Sequence, residues 1–146
     1  GTTYLRQKRA QRMSERGEGR ILITGSIAGL IPGSFQAVYN GTKAYLDSFA
    51  YALRDELKDS GVHITLLMPG PTDTPFFARA NMLDTPVGKD DSKEDPAKTA
   101  QNGWDALMKG SAHVVSGAKN KAQAALSHLT PDSLLAGQHR KMAEPE

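Results

Sequence analysis

Two short apolar runs, ILIT at 21–24 and VHITLLM at 62–68, constrain the fold of this chain more than any other feature. A run of branched apolar residues leaves no side for water, so each reads as a buried strand. Between them Leu46, Phe49, Ala50, Leu53 and Leu57 recur at helical spacing and Gly61 supplies a stop, which predicts an amphipathic helix over roughly 36–59. Strand, long helix, strand is a parallel pair with its crossover, because parallel neighbours cannot be joined by a tight turn.

The alternation continues on both sides. Residues 2–16 read as a helix, ended by the glycines of GEG at 17–19. After the second strand, the prolines of PGPTDTP at 69–75 cannot continue a ladder. Residues 75–94 are polar and irregular apart from Phe76, Phe77, Met82 and Leu83, as a loop or short lid helices would be. Asp95 before Pro96 is an N-cap with proline at the first helical position, so a helix follows over about 96–109. HVVSG at 113–117 is a third strand, and helical stretches follow near 118–128 and 131–142. The fold class is therefore α/β: a partial doubly wound, Rossmann-like parallel sheet of about three strands with flanking helices. An open parallel sheet of that width leaves long unpaired edges. The expectation is that 1–146 is a single partial domain, the second half of a larger sheet; the opening GTTYLRQ, mid-helix in character and without Met, fits a truncated or processed chain.

Composition excludes more than it assigns. With 146 residues and 38% hydrophobic content the chain can bury one core. Eighteen basic against sixteen acidic side chains give a net charge of +2, which makes no electrostatic case for a nucleic-acid or membrane partner. The absence of cysteine excludes disulfides, thiolate zinc sites and a cysteine nucleophile, and fits a reducing, cytoplasmic setting. The basic first twenty residues lack a signal peptide's apolar core and read as a solvated helix face. His63, His113, His128 and His139 show no metal-ligand pairing and read as incidental, so no metal is expected.

Two motifs invite a functional reading and fail on context. TGSIAGLIPG at 24–33 follows a strand with the T-G-x-x-x-G of a dinucleotide-binding loop. Yet Ile31 replaces the third glycine, Pro32 and Gly33 interrupt the helix that should start there, and no acidic residue ends a second strand about twenty residues on. It reads as an ordinary strand-to-helix loop. Tyr4 and Lys8 form a Y-x-x-x-K pair on a basic helix with no strand before it, a coincidence of spacing. Tyr39 and Lys43 repeat the pair in YNGTK, where a spacing of four places them on one helix face. Ser26 lies just past the end of the first strand, the edge at which open α/β sheets build their sites. PGPTDT leaves the next strand at the same edge, so three elements converge on one crevice.

Ser26, the Tyr39–Lys43 pair and the Pro69–Gly70 loop with Thr74 resemble, in order and spacing, the C-terminal half of the short-chain dehydrogenase/reductase family. The resemblance spans roughly residues 1–117, with 118–146 a helical C-terminal extension. It implies an oxidoreductase that transfers a hydride between a nicotinamide cofactor, NAD or NADP, and a small-molecule carbonyl or secondary alcohol. By it, Ser26, Tyr39 and Lys43 are catalytic: Tyr39 is the general acid/base, Ser26 polarises the substrate carbonyl, and Lys43 holds the nicotinamide ribose and lowers the tyrosine pKa. That last role has a physical reason, since a free phenol with a pKa of about 10 is a poor base at neutral pH without a neighbouring cation. The resemblance further places Tyr39, Lys43, Pro69, Gly70, Thr72 and Thr74 against the cofactor, and Ser26, Phe76 and Phe77 against the substrate, with Met82 and Leu83 of the same loop expected to line that pocket too. It also implies a homodimer or homotetramer through the long helix.

The family pattern is incomplete. Its opening strand with T-G-x-x-x-G-x-G, its N-N-A-G stretch and an asparagine on the helix before the Ser26 strand are missing, and Asn40, Asn81, Asn102 and Asn120 stand in the wrong places to replace the last. The chain by itself is therefore expected to be inactive. The competing expectation is a truncated, non-catalytic fragment that pairs with itself or a partner through its exposed strand edge. The extension at 118–146 would cap an interface, cover the pocket or remain a solvated tail.

Overall fold

The computed structural model describes residues 2–145. Strands β1 (Gly19–Thr24), β2 (Val62–Met68) and β3 (His113–Val115) form a parallel sheet in that order. β1 and β2 pair from Gly19↔Val62 to Thr24↔Leu67, and β2 and β3 from Leu66↔His113 to Met68↔Val115. Helix α1 (Thr2–Arg16) precedes β1, α2 (Ala37–Glu56) crosses from β1 to β2, and the connection to β3 holds two short helices, α3 (Phe76–Arg79) and α4 (Pro86–Lys89), before α5 (Pro96–Met108). Two more, α6 (Ala118–Ser127) and α7 (Asp132–Ala143), end the chain.

The elements follow from local chemistry. The Asp95 carboxylate accepts from the Ala97 N–H at 2.8 Å, capping α5 where Pro96 has no donor to satisfy. Gly61 has φ +73°, and a Cβ there would stand 1.9 Å from the Gly17 carbonyl oxygen, so only glycine lets the turns entering β1 and β2 touch. The core joins Ala10 of α1, Ile23 of β1, Ala50 and Leu53 of α2, and Val62, Ile64, Leu66 and Met68 of β2.

β1 departs from the expectation of a strand buried on both faces: Ile23 is sealed, but Ile21 and Leu22 are half-buried. β2 covers one edge of β1, and among the described residues no strand covers the other. The carboxyl ends of β1 and β2 lie side by side, and the residues that follow Thr24 and Met68 are brought together there.

Candidate active site

The two strand exits are tied to each other by backbone. The Gly25 N–H donates to the Leu67 carbonyl at 2.8 Å and the Ile27 N–H to the Pro69 carbonyl at 3.1 Å. Ser26 is buried between them. Its Oγ accepts from the Ala28 N–H at 3.1 Å, capping a 3-10 turn at Ile27–Leu30, and donates to the Pro69 carbonyl at 3.3 Å. The TGSIAG segment is thus a strand end and a short turn, and α2 does not begin until Ala37.

Tyr39 lies in the first turn of α2 and Lys43 one turn later. The Lys43 ammonium stands 5.8 Å from the Tyr39 ring centroid and donates to the Thr24 carbonyl at 3.2 Å. Burial pushes the Tyr39 phenol pKa up, the neighbouring Ser26 hydroxyl offsets part of the rise, and the Asp47 carboxylate adds to it. The phenol is therefore held above its ordinary value, against the expectation of one lowered by Lys43, because desolvation, with the Asp47 charge added to it, outweighs the Ser26 hydrogen bond.

A cavity of about 250 Å³ opens at this edge. Ser26, Tyr39, Lys43, Pro69, Gly70, Thr72, Thr74, Phe76 and Phe77 all line it. Phe76 packs 5.3 Å from Tyr39 in a tilted arrangement, and Phe77 meets Phe76 edge-on at 5.2 Å. Met82 borders a neighbouring cavity, and Leu83, 60% exposed, lines neither. Gly70 is held by the far end of the chain: Asn120 of α6 donates to the Ser116 carbonyl at 2.7 Å, and a Cβ on Gly70 would stand 2.2 Å from its amide oxygen.

The extension at 118–146 forms the remaining wall, through Gln123 of α6 and His139, Met142 and Ala143 of α7. His139 is not incidental. It is buried, its Nδ1 lies 2.9 Å from the Ser34 carbonyl, and burial lowers its pKa. A carbonyl only accepts, so Nδ1 carries the proton and donates. Nothing local in the sequence announces this contact. Asp47 was missed too, although it stands four residues after Lys43, as Lys43 does after Tyr39.

The lining fits one end of a dinucleotide. Lys43 and Tyr39 present an ammonium and a phenol from one helix face toward a proline–glycine loop with two threonine hydroxyls, a donor set suited to a ribose and a flat amide-bearing ring. Among the described residues Lys43 is the one Lys or Arg in the lining, and at about 250 Å³ the cavity is smaller than the roughly 300–1,000 Å³ of ordinary ligand pockets. Among the described residues no group of three or more His, Cys, Asp or Glu could hold a metal ion, and no helix is long and apolar enough to cross a membrane.

Comparison with known proteins agrees with this geometry. Residues 1–83, which include Ser26 through Phe77, match the family model for short chain dehydrogenase. The chain is 37% identical over 89 residues to an uncharacterized oxidoreductase, YbbO, of Escherichia coli strain K12, covering 60% of this chain and 33% of that protein. It is 37% identical over 79 residues to 17-beta-hydroxysteroid dehydrogenase type 1 of Homo sapiens, covering 54% of this chain and 24% of that protein. A solved structure of a 7beta-hydroxysteroid dehydrogenase superposes with a TM-score of 0.77 at 18% identity, over 94% of this chain and 54% of that one. A short-chain dehydrogenase from Sphingobium yanoikuyae in complex with NADPH does so with a TM-score of 0.67 at 21% identity, over 82% of this chain and 48% of that one. The matches thus span a third or less of the two curated relatives and about half of the solved chains. With more than half of its length in the family model, the chain belongs to the short chain dehydrogenase family.

Proposed function

We propose that this chain is the C-terminal, proton-handling half of an NAD(P)-dependent oxidoreductase acting on a carbonyl or secondary alcohol, with 1–117 its core and 118–146 a helical wall of the substrate pocket. The observation that carries this reading is the convergence of Ser26, Tyr39 and Lys43 on one cavity beside the 69–74 loop. A nicotinamide cofactor, NAD or NADP, supplies or accepts the hydride when bound. In reduction the Tyr39 hydroxyl gives its proton to the carbonyl oxygen, and in oxidation Tyr39 takes it from the alcohol. Ser26 Oγ, released from the Pro69 carbonyl, donates to the same oxygen and polarises the C=O bond. Lys43 grips ribose hydroxyls and, turned from the Thr24 carbonyl toward the phenol, stabilises the phenolate. The raised phenol pKa suits the donor role. Pro69, Gly70, Thr72 and Thr74 border the nicotinamide, while Phe76 and Phe77 give the substrate an apolar wall.

The isolated chain presents only the nicotinamide end, so NAD(P)H titrated into it by fluorescence is expected to bind more weakly than micromolar. Exposed Val38 and Tyr45, two turns apart on one face of α2, support a homodimer or homotetramer, which light scattering reads directly. The decisive test is Tyr39→Phe in a protein with the complete crevice: turnover falls at least about a hundredfold, the scale of losing a positioned acid. Unchanged turnover sinks the assignment.

A further inference from the structure

Asp47 has no part in the reading above, yet it continues the face of α2 that carries Tyr39 and Lys43. It is only 4% exposed, and neither Oδ1 nor Oδ2 has a hydrogen bond of full geometry. Two glycines make room for it. A Cβ on Gly25 would stand 1.8 Å from Oδ1, and one on Gly29 would stand 2.2 Å from Oδ2. The T-G-x-x-x-G spacing of 24–29 therefore frames a slot for a carboxylate of this chain. A position that needed only volume would hold an apolar side chain, since a buried charge without full partners is unfavourable.

We propose that Asp47 is a positioning residue of the site: its carboxylate, wedged between Gly25 and Gly29, fixes the Ser26 turn against α2 and anchors the Lys43 ammonium one helical turn away. This rests on the roles proposed for Ser26 and Lys43. Burial lifts the Asp47 pKa to about 6, against the pull of the Ser26 backbone N–H and the Lys43 ammonium. In return, its charge raises the pKa values of the Tyr39 and Tyr51 phenols. The charged and titratable groups that act on it are thus Lys43, Tyr39 and Tyr51, all of α2; the 25–30 loop and Leu66 of β2, beside Gly25, carry none. Protonation of Asp47 just below neutral pH is therefore felt at both Ser26 and Tyr39.

Nuclear magnetic resonance titration of the chain itself, with no cofactor, tests this through the Asp47 carboxyl carbon, the Ser26 amide and the Tyr39 ring. Asp47 titrates with a midpoint of about 6, and the Ser26 amide moves with it. In Asp47→Asn that movement is lost and the Tyr39 midpoint falls, while the remaining spectrum is kept. An Asp47 midpoint at the ordinary value of about 3.9, or a Ser26 amide indifferent to it, overturns the proposal in the unmutated chain, whether or not the variant folds. With the complete crevice, Asp47→Asn shifts the acidic limb of the kcat/KM pH profile. An unshifted profile beside an inactive Tyr39→Phe removes Asp47 and leaves the site standing, whereas an active Tyr39→Phe removes the site.

Discussion

The two Y-x-x-x-K pairs share more than a spacing. In both, the ammonium stands 5.8 Å from the ring centroid, over Tyr4 as over Tyr39. Their surroundings differ. Tyr4 is 62% exposed on the outside of α1 beside an exposed Lys8, whereas Tyr39 is half-buried against Phe76, next to the Ser26 hydroxyl and within the field of Asp47. Helical spacing alone brings a lysine over a tyrosine anywhere on a helix. What it cannot do is bring the exits of two strands against that pair, and that is the work of the parallel register between β1 and β2.

The comparison breaks if the two lysines prove equivalent in function. In a protein with the complete crevice, Lys43→Met is expected to lower kcat/KM at least about a hundredfold, or about 2.7 kcal/mol of transition-state stabilisation, while Lys8→Met stays within about twofold. Steady-state kinetics on the two variants gives both numbers. Similar losses would mean that the pair on α1 also reaches a substrate or cofactor.

How much was legible beforehand follows the same divide. The order α1, β1, α2, β2, α5, β3 lies within a few residues of where the periodicity places it, because apolar runs, caps and stops act over one or two turns. The meeting of Ser26, Tyr39 and the Pro69–Gly70 loop at one edge was legible too, since strand exits in a parallel sheet fall on one side. Depth was not. Asp47 reads as one more charge on an amphipathic helix until Gly25 and Gly29 are folded against it. His139 reads as incidental because its partner, Ser34, lies 105 residues away. The direction of the Tyr39 pKa differs for the same reason: the nearby cation is visible in the spacing, but the burial and the Asp47 charge that raise the phenol pKa are tertiary.

Asp47 gives the inner pair a pH signature that the outer pair has no means to copy. Its folded pKa of about 6 lies above the ordinary 3.8, so its contribution to stability is fully present below about 3.8 and is lost as pH rises through about 6. At about 1.36 kcal/mol per unit, ionisation at neutral pH costs the fold about 2–3 kcal/mol. His139 acts in the opposite sense. Burial lowers its pKa, so its contribution is present above 6.5 and fades as pH falls through the folded value. Asp90, lowered chiefly by Ser92, acts only below about 3.8. Urea unfolding of the chain and of Asp47→Asn at matched pH separates these effects, because both keep His139 and Asp90. The variant is expected to be the more stable by about 2 kcal/mol at pH 7, with the gap closing toward pH 4. A gap that does not change with pH would show that the asparagine acts by packing.

The smallest expected effect belongs to the outer pair, and it sharpens the comparison because the contact there is real in distance. An exposed ammonium over an aromatic ring contributes about 0.5–1 kcal/mol. Lys8→Met is therefore expected to lower the unfolding free energy by no more than about 1 kcal/mol. Tyr4→Phe, which keeps the ring, should change it by less than about 0.5 kcal/mol. A double-mutant cycle between the two positions in urea isolates the pair itself. A coupling well above that scale would mean that Tyr4 is desolvated, contrary to its exposure. A coupling near zero would leave the pair without weight beside Ala10 and Met13, by which, among the described residues, α1 meets the core cluster. Either value measures what an identical spacing and an identical distance are worth without a sheet edge beneath them.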